Sequence, residues 1–124
     1  MTKKAAGATC WMIPDGFIPA ASSGILESHE AICLLNCNNS SAEVSVTVYF
    51  EDREPLADIL IELPGERTRH VRTDTLQKAG EKIPKGIPYA IKVESELPIV
   101  VQFSRMDSTQ SENTLMTTMA YPVS

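Results

Sequence analysis

Strict alternation over residues 42 to 50 constrains this chain more than any other feature. In AEVSVTVYF, Ala42, Val44, Val46, Val48 and Phe50 fall on one side of an extended backbone, and Glu43, Ser45, Thr47 and Tyr49 fall on the other. A period of two belongs to a strand with one buried face. Asp58 to Leu63 repeats it with Ile59, Ile61 and Leu63 inward. Tyr89, Ile91 and Val93 alternate with Ala90, Lys92 and Glu94, and Ile99, Val101 and Phe103 alternate with Val100, Gln102 and Ser104. Four more stretches, Thr9 to Ile13, Ile32 to Cys37, Arg67 to Arg72 and Leu115 to Ala120, are β-branched or apolar with mixed alternation, as strands covered on both faces would be. Turn formers punctuate the runs: Pro14-Asp15-Gly16, Ser22-Ser23-Gly24, Asn38-Asn39-Ser40, Pro64-Gly65, Gly80 with Pro84 to Gly86, and Leu97-Pro98. Only Asp74 to Ala79 reads as helix, and no strand–helix–strand rhythm exists, which excludes a doubly wound sheet. The expectation is an all-β fold, an antiparallel β-sandwich of about eight short strands with little helix, in one domain over residues 1–124.

Such a chain of 124 residues buries a core without needing disulfides or a structural metal. Its three cysteines, Cys10, Cys33 and Cys37, are an odd number and fit reduced thiols. Cys33 and Cys37 on one strand would sit roughly 13 Å apart, too far to bridge. With no Cys-x-x-Cys and with His29 and His70 distant in sequence, no metal site is expected. The apolar stretch Cys10 to Ile13 is too short for a signal-peptide core, and no run approaches the roughly 18 residues of a membrane span; a cytoplasmic location is expected. A formal net charge of −5 makes nucleic acid an unlikely partner, since phosphate must be neutralised by Lys and Arg. No Gly-x-Ser-x-Gly elbow, phosphate loop or dinucleotide fingerprint occurs, so neither catalysis nor a cofactor is expected.

Polar side chains gather in three places. Residues 66 to 72, ERTRHVR, collect Arg67, Arg69, His70 and Arg72 on one strand, with Arg67 and Arg69 pointing one way and His70 and Arg72 the other. Guanidinium forks of this kind suit carboxylate, phosphate or sugar hydroxyls, and equally serve as charges that protect a sheet edge from aggregation. Ser28-His29-Glu30 precedes a buried-looking strand, and Gln102, Ser104, Arg105 and Asp107 form the polar end of another. Strand ends are where rigid scaffolds build binding sites.

Several of these pieces carry a resemblance. C-W at 10 to 11, G-F-I-P at 16 to 19, S-H-E-A-I-C-L-L-N at 28 to 36, V-Y-F-E-D-R-E-P at 48 to 55, R-T-R-H-V-R at 67 to 72, P-I-V-V-Q at 98 to 102, S-R-M-D-S at 104 to 108 and M-A-Y at 119 to 121 are similar, in order, to the Anabaena sensory rhodopsin transducer family. The resemblance implies a β-sandwich forming a homotetramer, soluble, cytoplasmic and without a catalytic role. In the namesake the partner is a membrane photoreceptor; other members are proposed to bind sugars or related small molecules. Carried over, the ligand-binding positions would be Trp11, His29, Glu30, Arg67, Arg69, His70, Arg72, Gln102, Arg105 and Asp107. Phe103-Ser104-Arg105-Met106 departs from a more polar family stretch. The leading expectation is a module binding a polar small molecule such as a carbohydrate; the alternative is a protein-binding adaptor that transduces a membrane receptor's signal, with DNA binding third.

Overall fold

The computed structural model describes residues 5–20, 28–107 and 114–123. Ten strands follow in order: β1 (Ala8–Phe17), β2 (His29–Asn36), β3 (Ala42–Phe50), β4 (Leu56–Leu63), β5 (Arg67–Arg72), β6 (Gln77–Lys78), β7 (Glu81–Lys82), β8 (Pro88–Asp107), β9 (Thr114–Met119) and β10 (Tyr121–Pro122). Every pairing among them is antiparallel, as the alternating patterns require.

One strand organises the rest. The first half of β8 lies between β1 and β3, giving the order β10-β1-β8-β3-β4, and its second half lies between β2 and β9, giving β9-β8-β2-β5. The inward residues of both sheets meet in a single core that includes Ile32, Leu34, Val44, Val46, Ile61, Ile91, Val93, Ile99, Val101 and Phe103. All four strongly alternating stretches bury the side their pattern assigns, except that in β3 the inward Phe50 is half-buried and the outward Thr47 is buried as well.

Two expected turns lie inside strands instead. Leu97-Pro98 belongs to β8, because the ladder with β3 ends at Ser95 and that with β2 begins at Val100, so the missing N–H of Pro98 falls where those partners change. Pro14-Asp15-Gly16 is a bulge in β1, between Ile13 and Gly16 in its pairing with β8. The helix-like Asp74 to Ala79 holds only a 3-10 turn at Thr73–Thr75 before β6; Ala79 and Gly80 both have positive φ, 53° and 83°, and form the two-residue hairpin turn to β7. Ser22-Ser23-Gly24 lies outside the described residues.

Buried Asn36 closes one end of the core. Its Nδ2 donates to the carbonyls of Ser40 and Leu63 at 3.0 and 3.1 Å, and its Oδ1 accepts the Asn38 N–H at 2.9 Å.

Candidate functional site

The other end of the core is built around a carboxylate. On β2 the inward positions are Glu30, Ile32, Leu34 and Asn36, so the period that buries Ile32 also buries Glu30, whose side chain is 1% exposed. A lone carboxylate there would be costly. Glu30 instead accepts three donors. Its Oε1 takes the Phe17 backbone N–H at 2.9 Å and the Tyr89 hydroxyl, and its Oε2 takes Nε of Arg105. The fully buried Thr73 completes the group, with its hydroxyl 2.9 Å from that of Tyr89 and donating to the Glu30 carbonyl at 3.3 Å. Among the described residues no buried side-chain polar atom lacks a partner.

Tyr89 and Arg105 sit on the same strand, and the run between them would span roughly 50 Å if straight. Both reach one carboxylate, so β8 turns back on itself as it passes from one sheet to the other. Burial, followed by the hydrogen bond to Glu30 and that group's negative charge, pushes the Tyr89 hydroxyl far above its ordinary range.

Arg105 faces outward from this network. A cleft of about 300 Å³ opens beside it, lined by Met12, Ile13, Asp15, Phe103, Met116 and Tyr121 among others. Nη2 of Arg105 is 4.0 Å from the Asp15 carboxylate at the mouth, longer than a hydrogen bond. The cleft is an apolar trough with one cation, Arg105, paired from behind with Glu30, and one exposed acid, Asp15.

The residues selected from sequence do not converge on one pocket. Glu30 and Arg105 share the buried network. Trp11 belongs to the core, with Nε1 donating to the carbonyls of Ala8 and Ile99 at 3.1 and 3.0 Å; its ring has no free face. His70 and Gln102 share the outer surface of the second sheet in a row His70–Cys33–Gln102–Met119 across β5, β2, β8 and β9, beside a shallow depression of about 240 Å³ that Leu35 and Val100 also line. Arg67, Arg69 and Arg72 stand exposed on β5, which among the described residues pairs with β2 alone. Their forks are engaged locally: Arg67 with the Glu66 carbonyl, Arg69 with the Glu62 carbonyl, both at 3.0 Å, and Arg72 bidentately with Asp74 at 3.1 and 2.6 Å. His29 is half-buried opposite Met106. Asp107 closes β8 opposite Thr114, and its side chain lies outside the described set. The three cysteines are free.

Sequence reasoning missed Tyr89, Thr73 and Asp15. Tyr89 carried a signal, since a tyrosine at an inward position needs a partner for its hydroxyl. Thr73 carried none, because its burial follows from how the 3-10 turn packs beside β2.

Comparison with known proteins extends over the same residues. Residues 6–122 match the family model described as Anabaena sensory rhodopsin transducer. The crystal structure of Thermotoga maritima 1070 is 40% identical, with 94% of this chain and 96% of that one covered at a TM-score of 0.82. A solved structure of Anabaena sensory rhodopsin transducer is 38% identical, with 87% and 96% covered at a TM-score of 0.74. No curated protein matches. Among the described residues no helix is long and apolar enough to cross a membrane.

Proposed function

Because this chain belongs to the Anabaena sensory rhodopsin transducer family, we propose that it acts as a soluble, cytoplasmic, non-catalytic adaptor, binding a sensory receptor in the membrane and passing on its signal. The observation that carries this reading is the apolar flank at residues 115–123. Leu115 is 74% and Tyr121 69% exposed, and Met116, Met119 and Val123 are also exposed. Leu115, Met116 and Met119 lie on β9, Tyr121 on β10 and Val123 just beyond it, so the flank follows one edge strand of each sheet, and an exposed apolar flank of this kind marks a protein contact. Part of that contact is homotypic in our reading, in a homotetramer that also covers the apolar outer surface around Leu35 and Val100. Light scattering should give about four times the chain mass; a monomer at micromolar concentration would refute the tetramer. Co-purification with a detergent-solubilised sensory rhodopsin tests the adaptor role, which fails if the rhodopsin does not bind.

A second reading, a polar small molecule and a carbohydrate in particular, draws on the cleft beside Arg105, where a guanidinium fork and Asp15 stand next to apolar walls. A panel of sugars and metabolites in a thermal-shift assay tests it, because a ligand that binds only the folded chain raises Tm. No shift at millimolar concentration removes this reading. DNA binding is weaker than either, given the acidic balance.

A further inference from the structure

The outer surface of the first sheet carries a charge arrangement that works against folding. Glu43 on β3 and Glu62 on β4 are directly opposite in the antiparallel register, and like charges so placed destabilise the pair. A third carboxylate, that of Glu96, accepts the Glu43 backbone N–H at 3.0 Å. Two adjoining grooves of about 450 and 460 Å³ run across this surface; Glu43 and Glu96 line both, with Leu60 and Glu62 in one and Asp58 and Glu94 in the other. Among the described residues no Lys, Arg or His lines either groove, although Lys92 pairs with Glu94 at 3.2 Å from beside the second. Leu60, outward on the edge strand β4 between Asp58 and Glu62, is 60% exposed and lines the first groove beside Glu43 and Glu96.

A local conflict that the fold does not need is expected where function requires it. A metal ion is a poor occupant, since among the described residues no three His, Cys, Asp or Glu side chains are grouped to hold one. An anionic lipid surface would be repelled. A polypeptide segment that mixes basic and apolar residues meets both features, its cations between the carboxylates and an apolar side chain on Leu60. Cytoplasmic segments of membrane proteins carry an excess of Lys and Arg, so a membrane receptor presents this chemistry. We propose that the outer surface of the first sheet, centred on Glu43, Leu60 and Glu96, is the docking surface for a basic cytoplasmic segment of the receptor; this rests on the adaptor reading above.

The test pairs the whole chain with a labelled peptide of lysine and leucine, followed by fluorescence anisotropy, against a control peptide of glutamate and leucine. The wild type should bind the first and not the second, more weakly as salt screens the charges. Glu43→Gln combined with Glu96→Gln should weaken binding about tenfold while raising Tm, because the repulsion is relieved. A structural role for these acids would instead lower both. Unchanged affinity in that double variant overturns the proposal. Solubilised sensory rhodopsin then separates the two readings. If wild type and double variant bind it equally, the adaptor reading stands and this surface is wrong. If wild type ignores the rhodopsin while the peptide still binds through Glu43 and Glu96, the surface stands and the adaptor reading falls.

Discussion

Arg105 donates its Nε–H to Glu30 from near the end of the strand that begins at Pro88, and the other oxygen of that carboxylate takes the hydroxyl of Tyr89 near the strand's start. Glu30 thereby ties both halves of β8 to β2, and through Phe17 to β1. Removing one member of a buried ion pair strands the other charge, at a cost of roughly 3 to 5 kcal/mol. Arg105→Ala should therefore lower stability by about 3 kcal/mol in denaturant titration, more than Glu30→Gln, because the charge that Glu30→Gln leaves unpaired is that of Arg105, whose side chain is 25% exposed at the cleft and 4.0 Å from Asp15, rather than a buried one. Equal or smaller loss in Arg105→Ala would show that Glu30 needs no cation.

Alkaline pH should unfold this protein earlier than its net charge suggests. Tyr89 ionises near the 10.0 of an ordinary tyrosine in the unfolded chain and far above it when folded, so the neutral phenol favours the folded state. Its contribution is complete below pH 10 and declines as pH rises further, at a limiting slope of about 1.4 kcal/mol per unit. Thermal melts from pH 8 to 11 should show Tm falling more steeply in wild type than in Tyr89→Phe. Parallel curves would mean that Tyr89 does not set the slope.

A methyl group at residue 16 tests how tightly the same cluster is packed. A Cβ at Gly16 would stand 2.5 Å from the Tyr89 ring, so the ring must move and take its hydroxyl away from Glu30. Gly16→Ala should cost on the order of 1 to 3 kcal/mol, as overpacking does, and should flatten the alkaline slope along with the loss. Wild-type stability in this variant would show that the ring can shift without penalty.

The arginines of β5 should matter little for folding. Arg69 and Arg72 are exposed, and exposed charges contribute about 0 to 1 kcal/mol. Arg69→Ala and Arg72→Ala should retain the wild-type denaturation midpoint within that range. If either lowers affinity for a bound ligand or receptor by about tenfold, as the loss of a charge-assisted hydrogen bond would, β5 belongs to the recognition surface; if neither does, its charges serve to protect an open edge.

The alternation in 42–50, 58–63, 89–94 and 99–104 determined the strands, their buried sides and the all-β class, because burial on a pleated strand follows a local period of two and needs no knowledge of partners. The ordered motifs from Cys10 to Tyr121 were likewise enough to indicate the family. The polar network was half legible. Glu30 and Arg105 were selected as polar side chains near strand ends, but nothing local says that one sits in the core and the other rests against it. That follows from the bend in β8, which brings Tyr89 and Arg105 to one carboxylate and turns the expected Leu97-Pro98 break into a continuous strand. The same holds for Trp11, His70 and Gln102, which the sheets distribute to the core and to an outer surface. The opposition of Glu43 to Glu62 likewise depends on register. Periodicity is a property of neighbours along the chain; convergence and repulsion between distant residues depend on which strands pair, and only the tertiary structure decides that.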